Sequence, residues 1–288
     1  MSTRSRARLA VLGGVVVGLV LAGCSGPDNT ATPSPSATST PVLGHVTTMV
    51  VLGDSMSLGV NACQKSGACP EESWAAGTDP QVDSVADRLA QLIGTRPQVR
   101  NLSRSGGRLG DAVANADEIA ETNPDLFVML LGANDACRPS IDSMTSVADF
   151  TSGLHTVLTA IQTRAPAAHL LLLSVPDLNQ LWEVNHNDAA AVRLWNGSSN
   201  CTSLLGDPQS RSADATQRRA EVAARVDAYN VAIASECAAM PKCESDGGSL
   251  HDIRFSSADI STIDYFHPGV SAQAKIADAA WTALKRMG

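Results

Sequence analysis

Two short stretches carry the residue types of nucleophilic catalysis: Gly53-Asp54-Ser55 near the start of the chain and Asp264-Tyr265-Phe266-His267-Pro268 near its end. A serine hydroxyl attacks only when a base takes its proton. An acid three residues ahead of a histidine, on a tight turn, can reach Nδ1 and fix the tautomer, which leaves Nε2 to act as that base. Of the six histidines, His267 alone has so defined a local partner. His251-Asp252 is a weaker rival, because adjacent side chains on a strand point to opposite faces. Two further stretches could supply donors for a developing oxyanion. Glycine in Ser105-Gly106-Gly107 lets the backbone approach a ligand, and Asn134 in Gly132-Ala133-Asn134-Asp135 offers a side-chain amide. Each stretch alone has a plainer reading: turns are built from the same residues, and Ser55 could cap a following helix.

The elements that must position these residues are legible as alternating patterns. Thr48 to Leu52, Val99 to Leu102, Leu126 to Leu131 and Leu170 to Val175 are short apolar runs that read as buried strands. Between them lie helical spacings: Val82, Val85, Leu89 and Leu92 before Gly94, then Leu109 to Ala120 before Asn123-Pro124, then Val147 to Arg164 before Pro166. Ala215 to Ala239 and Val270 to Met287 are two later helical patterns. Strand alternating with helix predicts a parallel sheet covered on both faces. In such sheets ligands collect beyond the carboxyl ends of the strands. Ser55, Gly106 and Asn134 each follow such a run. Pro176 to Gln209 has no clear period, contains Trp182 and Trp195, and reads as a long excursion over the sheet edge.

Taken together, the four stretches resemble the SGNH/GDSL hydrolase family. Ser55 matches the nucleophile of its early Gly-Asp-Ser block, Gly106 the glycine of the second block, and Asn134 the asparagine of the Gly-x-Asn-Asp block. Asp264 and His267 match the late Asp-x-x-His block. Gly107 is an alternative to Gly106. The resemblance implies a three-layer, flavodoxin-like α/β fold with a central parallel sheet. It also implies ester hydrolysis through a Ser55–His267–Asp264 site, with an oxyanion hole from the Ser55 and Gly106 N–H groups and the Asn134 amide, and no metal or organic cofactor. The expected substrate is a small-molecule, lipid or glycan ester. Alternatives with the same residues are a polysaccharide O-deacetylase or an acyltransferase; from another class, a non-catalytic surface-anchored binding protein. No Gly-x-Ser-x-Gly occurs, so the nucleophile elbow of the α/β-hydrolases is not supported.

The start of the chain reads as an export signal. Arg4, Arg6 and Arg8 precede an apolar run from Leu9 to Ala22, shorter than the about 20 residues a membrane-spanning helix needs. It ends in Leu21-Ala22-Gly23-Cys24, similar to the lipobox of bacterial lipoproteins, in which the cysteine becomes the lipid-modified first residue. The expected organisation is a signal over 1–23, a Ser/Thr/Pro-rich disordered tether over 24–45, and one hydrolase domain over 46–288, anchored to the outer face of a membrane through Cys24 or secreted.

Removing the three arginines of the signal takes the formal charge from -8 to -11. An acidic chain without a basic cluster argues against nucleic acid as a partner. Nothing in the pattern demands an oligomer. Apart from Cys24, six cysteines remain. Cys63/Cys69 and Cys237/Cys243 could each close a small loop, which leaves Cys137 with Cys201, although other pairings are open from sequence alone. The set is also similar to that of secreted actinobacterial members of the family. No Cys-x-x-Cys occurs and no histidine has ligand spacing beside a cysteine, so no metal is expected.

Overall fold

The apolar runs become strands whose two faces are both buried. In the computed structural model, which describes residues 42–287, β1 (Thr48–Gly53), β2 (Gln98–Asn101), β3 (Leu126–Leu130), β4 (His169–Leu172) and β5 (Cys243–Ser245) form a sheet of order β2-β1-β3-β4-β5. All four pairings are parallel. This is the flavodoxin-like doubly wound order. Successive side chains of a strand face opposite ways. Val50, Leu52, Phe127, Met129, Leu170 and Leu172 therefore enter one core, while Met49, Val51, Leu126, Val128, Leu130 and Leu171 enter the other. A sheet buried on both faces needs this continuous apolar character rather than alternation.

Helices cover each face. On one side lie α1 (Val85–Ile93) and the last helix, α10 (Val270–Leu284), with Val85, Leu89 and Ile276 in the core. Opposite are α2 (Leu109–Ala114), α3 (Ala116–Glu121), α5 (Val147–Arg164) and α9 (Ala213–Ala239). The short α4 (Ala133–Ala136) follows β3 directly. Local chemistry sets the ends. The Ser84, Ser146 and Ser212 hydroxyls accept from backbone N–H groups of the first turns of α1, α5 and α9, and Gly94, at φ 80°, ends α1.

Several elements depart from expectation. The pattern over 109–120 is two helices broken at Asn115, not one. The excursion after Pro176 is helical, forming α6 (Asn179–Asn185), α7 (Ala189–Asn196) and α8 (Thr202–Leu205). Its Leu181, Ala191, Trp195, Leu204 and Leu205 pack into the core on the α5/α9 side. The folded part also begins ahead of residue 46. Val42–His45 is a 3-10 turn whose Leu43 is buried with α1 and α10, so the end of the expected tether belongs to the fold. The export signal, Cys24 and the remainder of the tether lie outside the described residues.

Disulfides join Cys63 to Cys69, Cys137 to Cys201 and Cys237 to Cys243, the three pairs the spacing favours. Cys63 and Cys69 also lie with Glu72 in a grouping of metal-ligand size, but the disulfide leaves no thiolate there to bind an ion.

Candidate active site

β1 and β3 are adjacent and in register at their carboxyl ends, with Gly53 opposite Leu130. The chain leaves β1 into Asp54-Ser55 and leaves β3 into Gly132 and α4, which brings the first and third blocks together. Close approach explains the glycine at 53. A Cβ there would lie 2.3 Å from Ser57 Oγ and 2.9 Å from the Leu130 carbonyl. No helix follows Ser55, and the local backbone contact is made by its neighbour: Asp54 Oδ1 accepts from Met56 N–H at 2.8 Å. Ser55 is thus not a helix cap, and it lines two adjoining cavities.

Asn134 bridges three blocks. Its Nδ2 donates to the Gly107 carbonyl at 3.1 Å and to Asp54 Oδ2 at 3.3 Å. The two glycines of the second block divide their tasks. Gly107 is buried and its N–H donates to the Arg104 carbonyl, so that donor is already engaged. Gly106, at φ 74°, lines the same cavity as Ser55 and Asn134. This favours Gly106 over Gly107 as the second-block residue that faces a ligand.

Asp264 and His267 sit on a turn between a 3-10 segment at Ser257–Asp259 and α10, with Tyr265 at φ 52°. His267 Nδ1 lies 2.5 Å from Asp264 Oδ2. Asp264 Oδ1 accepts from the N–H groups of Phe266 (3.0 Å) and His267 (3.1 Å). Burial pushes the Asp264 carboxyl up, but the hydrogen bond and charge of His267 and the two backbone donors more than offset it, so it lies below its ordinary value. An ionised carboxylate only accepts, which assigns a proton to His267 Nδ1 and, in the neutral imidazole, leaves Nε2 as an acceptor. His267 lines both cavities with Ser55 and Asn134. Asp54 behaves in the opposite way. It is 1% exposed, and burial raises its carboxyl to about 7 against the opposing pull of the Met56 N–H and of His267.

The cavities differ in character. One is a slot of about 60 Å³ walled by Met56, Leu178, Leu181, Val184, Phe255 and Ile276. The other is a groove of about 580 Å³ bordered by Ser105, Arg138, Trp195, Ser198, Ser199 and Asn200. The helical excursion supplies walls to both, so it lies over the carboxyl ends of the strands as well as packing on the α5/α9 face. Trp195 borders the groove, and its Nε1 braces the turn that carries Asp264 and His267 by donating to the Tyr265 carbonyl at 3.3 Å. Trp182 packs against His186, Arg211 and Arg219, and Trp74 is fully buried with Nε1 donating to Ser57 Oγ.

The GDSL-like lipase/acylhydrolase family model matches residues 51–275. The chain belongs to this family. It is therefore a hydrolase, of a family that acts on esters. Solved structures agree on the fold. The crystal structure of TesA is 19% identical, with a TM-score of 0.53 over 84% of this chain and 99% of that one. LAE5, an alpha/beta hydrolase from the metagenome of Lake Arreo, Spain, is 18% identical, with a TM-score of 0.53 over 84% and 96%. An extracellular lipase from Streptomyces rimosus is 21% identical, with a TM-score of 0.50 over 82% and 99%. No curated protein matches the sequence.

Sequence reasoning missed two residues around the site. Asp135, 1% exposed, accepts from Leu109 N–H at 3.0 Å and from Thr145 Oγ1 at 2.7 Å, so it anchors the start of α2 and the approach to α5. Asn61 donates from Nδ2 to Asp264 Oδ2 at 2.8 Å. An acid directly after the candidate asparagine is a visible signal for the first. No local signal points to the second, 203 positions from its partner. The rival His251 is away from these cavities, and its ring contacts Val175, Asp227 and Asn230.

Proposed function

We infer that the protein is an exported serine esterase that acts through an acyl-enzyme on Ser55. The observation that carries this reading is that Ser55, Asn134 and His267 all border both cavities, at their junction, with Asp264 bonded behind His267. His267 Nε2 takes the proton from Ser55 Oγ as that oxygen bonds to the acyl carbon. The carbonyl electron pair moves onto oxygen, where the N–H groups of Ser55 and Gly106 receive it together with the Asn134 amide, which exchanges its long 3.3 Å bond to Asp54 for the oxyanion. Collapse expels the alcohol, which leaves with the proton from His267. Water then repeats the sequence on the acyl-enzyme, again with His267 as base, and regenerates Ser55.

The shapes of the cavities orient the substrate. The apolar slot suits an acyl chain, while the groove, whose border carries Ser105, Arg138, Ser198, Ser199 and Asn200, suits a hydroxyl-bearing alcohol. Three disulfides support export, since such bonds persist in oxidising compartments. Anchoring through Cys24 rests on the sequence, and loss of fatty-acid labelling in Cys24→Ser is its test.

The decisive experiment is hydrolysis of p-nitrophenyl esters from acetyl through long linear acyl groups, beside pivaloyl and benzoyl esters, with Ser55→Ala run in parallel. Serine-dependent turnover of these esters is the expected result, and the pivaloyl and benzoyl esters read how much acyl bulk the slot accepts. Turnover confined to acetyl esters favours the O-deacetylase alternative. Absence of turnover together with failure of a fluorophosphonate to label Ser55 would exclude an armed site.

A further inference from the structure

We propose that Asn61 is a positioning residue for the Asp264–His267 pair, held in place by the loop that the Cys63–Cys69 disulfide closes. The inference rests on the assignment of that pair as the base. Four donors surround the Asp264 carboxylate. Three of them, His267 Nδ1 and the N–H groups of Phe266 and His267, belong to the turn that carries Asp264 itself. The fourth is Asn61 Nδ2, which reaches Oδ2, the same oxygen that meets His267. Donors within the turn move with the carboxylate. A donor from a separate segment fixes it relative to Ser55, six residues before Asn61, and so sets where the imidazole points.

Asn61 is itself over-determined. It is 7% exposed and stands at φ 61°, in the left-handed region that asparagine tolerates better than most residues. Its N–H donates to the Gly67 carbonyl at 2.8 Å, and its Oδ1 accepts from Gly67 N–H at 2.9 Å. Gly67 lies inside the ring closed by Cys63 and Cys69. With Oδ1 held in this way, Nδ2 can only face Asp264. Two more bonds tie the same loop to the catalytic turn: Ser261 Oγ donates to the Asn61 carbonyl at 2.7 Å, and Thr262 Oγ1 to Gln64 Oε1 at 2.9 Å. A residue needed only to cap the loop would use Oδ1 and the backbone. The amide nitrogen is aimed elsewhere.

The test uses the full chain with its disulfides formed, and two variants that keep the backbone conformation available. Asn61→Gly removes the side chain. Asn61→Asp keeps the acceptor for Gly67 N–H but replaces the donor facing Asp264 with an acceptor. A hydrogen bond to a charged group is worth roughly tenfold or more in an equilibrium. Both variants are therefore expected to lower kcat on a linear p-nitrophenyl ester about tenfold, with KM within about twofold. The downfield proton resonance of His267 Nδ1–H should move and broaden in both. The double variant Cys63→Ser/Cys69→Ser, which retains Asn61 but frees its loop, should show the same changes to a lesser degree. An unchanged kcat in folded Asn61→Asp, or a raised KM with the resonance unmoved, overturns the proposal. If wild-type protein turns over no ester, the functional reading fails, and the resonance alone decides the role of Asn61: displaced in Asn61→Asp, it upholds positioning; unmoved, it overturns it.

Discussion

Two carboxyl groups of the site titrate in opposite senses because one has donors around it and the other is buried with few. Asp54 is raised to about 7 chiefly by burial, whereas Asp264 is held below its ordinary value by His267 and two backbone N–H groups. The consequences for stability have opposite signs. A raised carboxyl contributes stability that is fully present below its unfolded value of 3.8 and lost as pH climbs through about 7. For Asp54, fully buried, the span corresponds to on the order of 4 kcal/mol. Asp264 contributes above the ordinary carboxylate value and loses that contribution on acidification. Asp54→Asn should therefore weaken the protein at pH 5, where it loses one of two acceptor contacts, yet flatten the fall in urea midpoint between pH 5 and pH 8 that the wild type is expected to show. An unaltered fall would assign the effect to another group. For catalysis, Ser55→Ala should abolish turnover. Asn134→Ala should leave a folded enzyme slowed on the order of 10²–10³-fold in kcat, as for loss of one oxyanion donor. Near-normal kcat in that variant would remove Asn134 from the site. Ser55 and Asn134 are readable because each follows an apolar run whose end is marked in sequence, and His267 because an acid stands three residues ahead of it before the last helix. Asn61 is not, because its partner is brought to it only by the closed fold.

At the scale of elements, strands with apolar runs were legible and the edge was not. β5 is three residues, Cys-Glu-Ser, paired on one side only, and has no apolar run to betray it. α6, α7 and α8 span seven, eight and four residues, too short for a helical period to stand out, and the core contacts that hold them are distant in sequence. The α2/α3 break carries no glycine or proline; it comes at Asn115, whose ψ of 17° departs from a helix. Around α4 a polar knot organises three elements. Thr145 gives its hydroxyl to Asp135, and its carbonyl accepts from Tyr229 Oη at 2.5 Å and from Arg225 Nη1 at 2.6 Å, both on α9. Removing Asp135 leaves buried donors unpaired, each at a cost of about 1–3 kcal/mol. Asp135→Ala is thus expected to destabilise by about 3 kcal/mol in urea unfolding with disulfides intact. A loss below about 1 kcal/mol would mean that these donors find other partners.

For the molecule as a whole, the covalent links are unequal. Cys137–Cys201 closes 64 residues and the other two close six each. On loop entropy the long link is worth about 4 kcal/mol and each short one about 2 kcal/mol. Cys137→Ala/Cys201→Ala should lower the unfolding midpoint more than Cys237→Ala/Cys243→Ala does; the reverse order would place the stabilisation in local packing instead. The global architecture followed from alternating strand and helix, but the division of the space above the sheet into a slot and a groove did not, since it depends on how the helices after Pro176 settle. That division has a kinetic consequence. On the proposed acyl-enzyme route, with the acyl group lodged in the slot, departure of the alcohol vacates the groove alone, and the covalent intermediate waits with one face open. Whatever next enters the groove decides its fate, water giving an acid and a second alcohol giving a new ester. The ratio of these products should then follow the affinity of the added alcohol for the groove and be the same for every leaving group that preceded it.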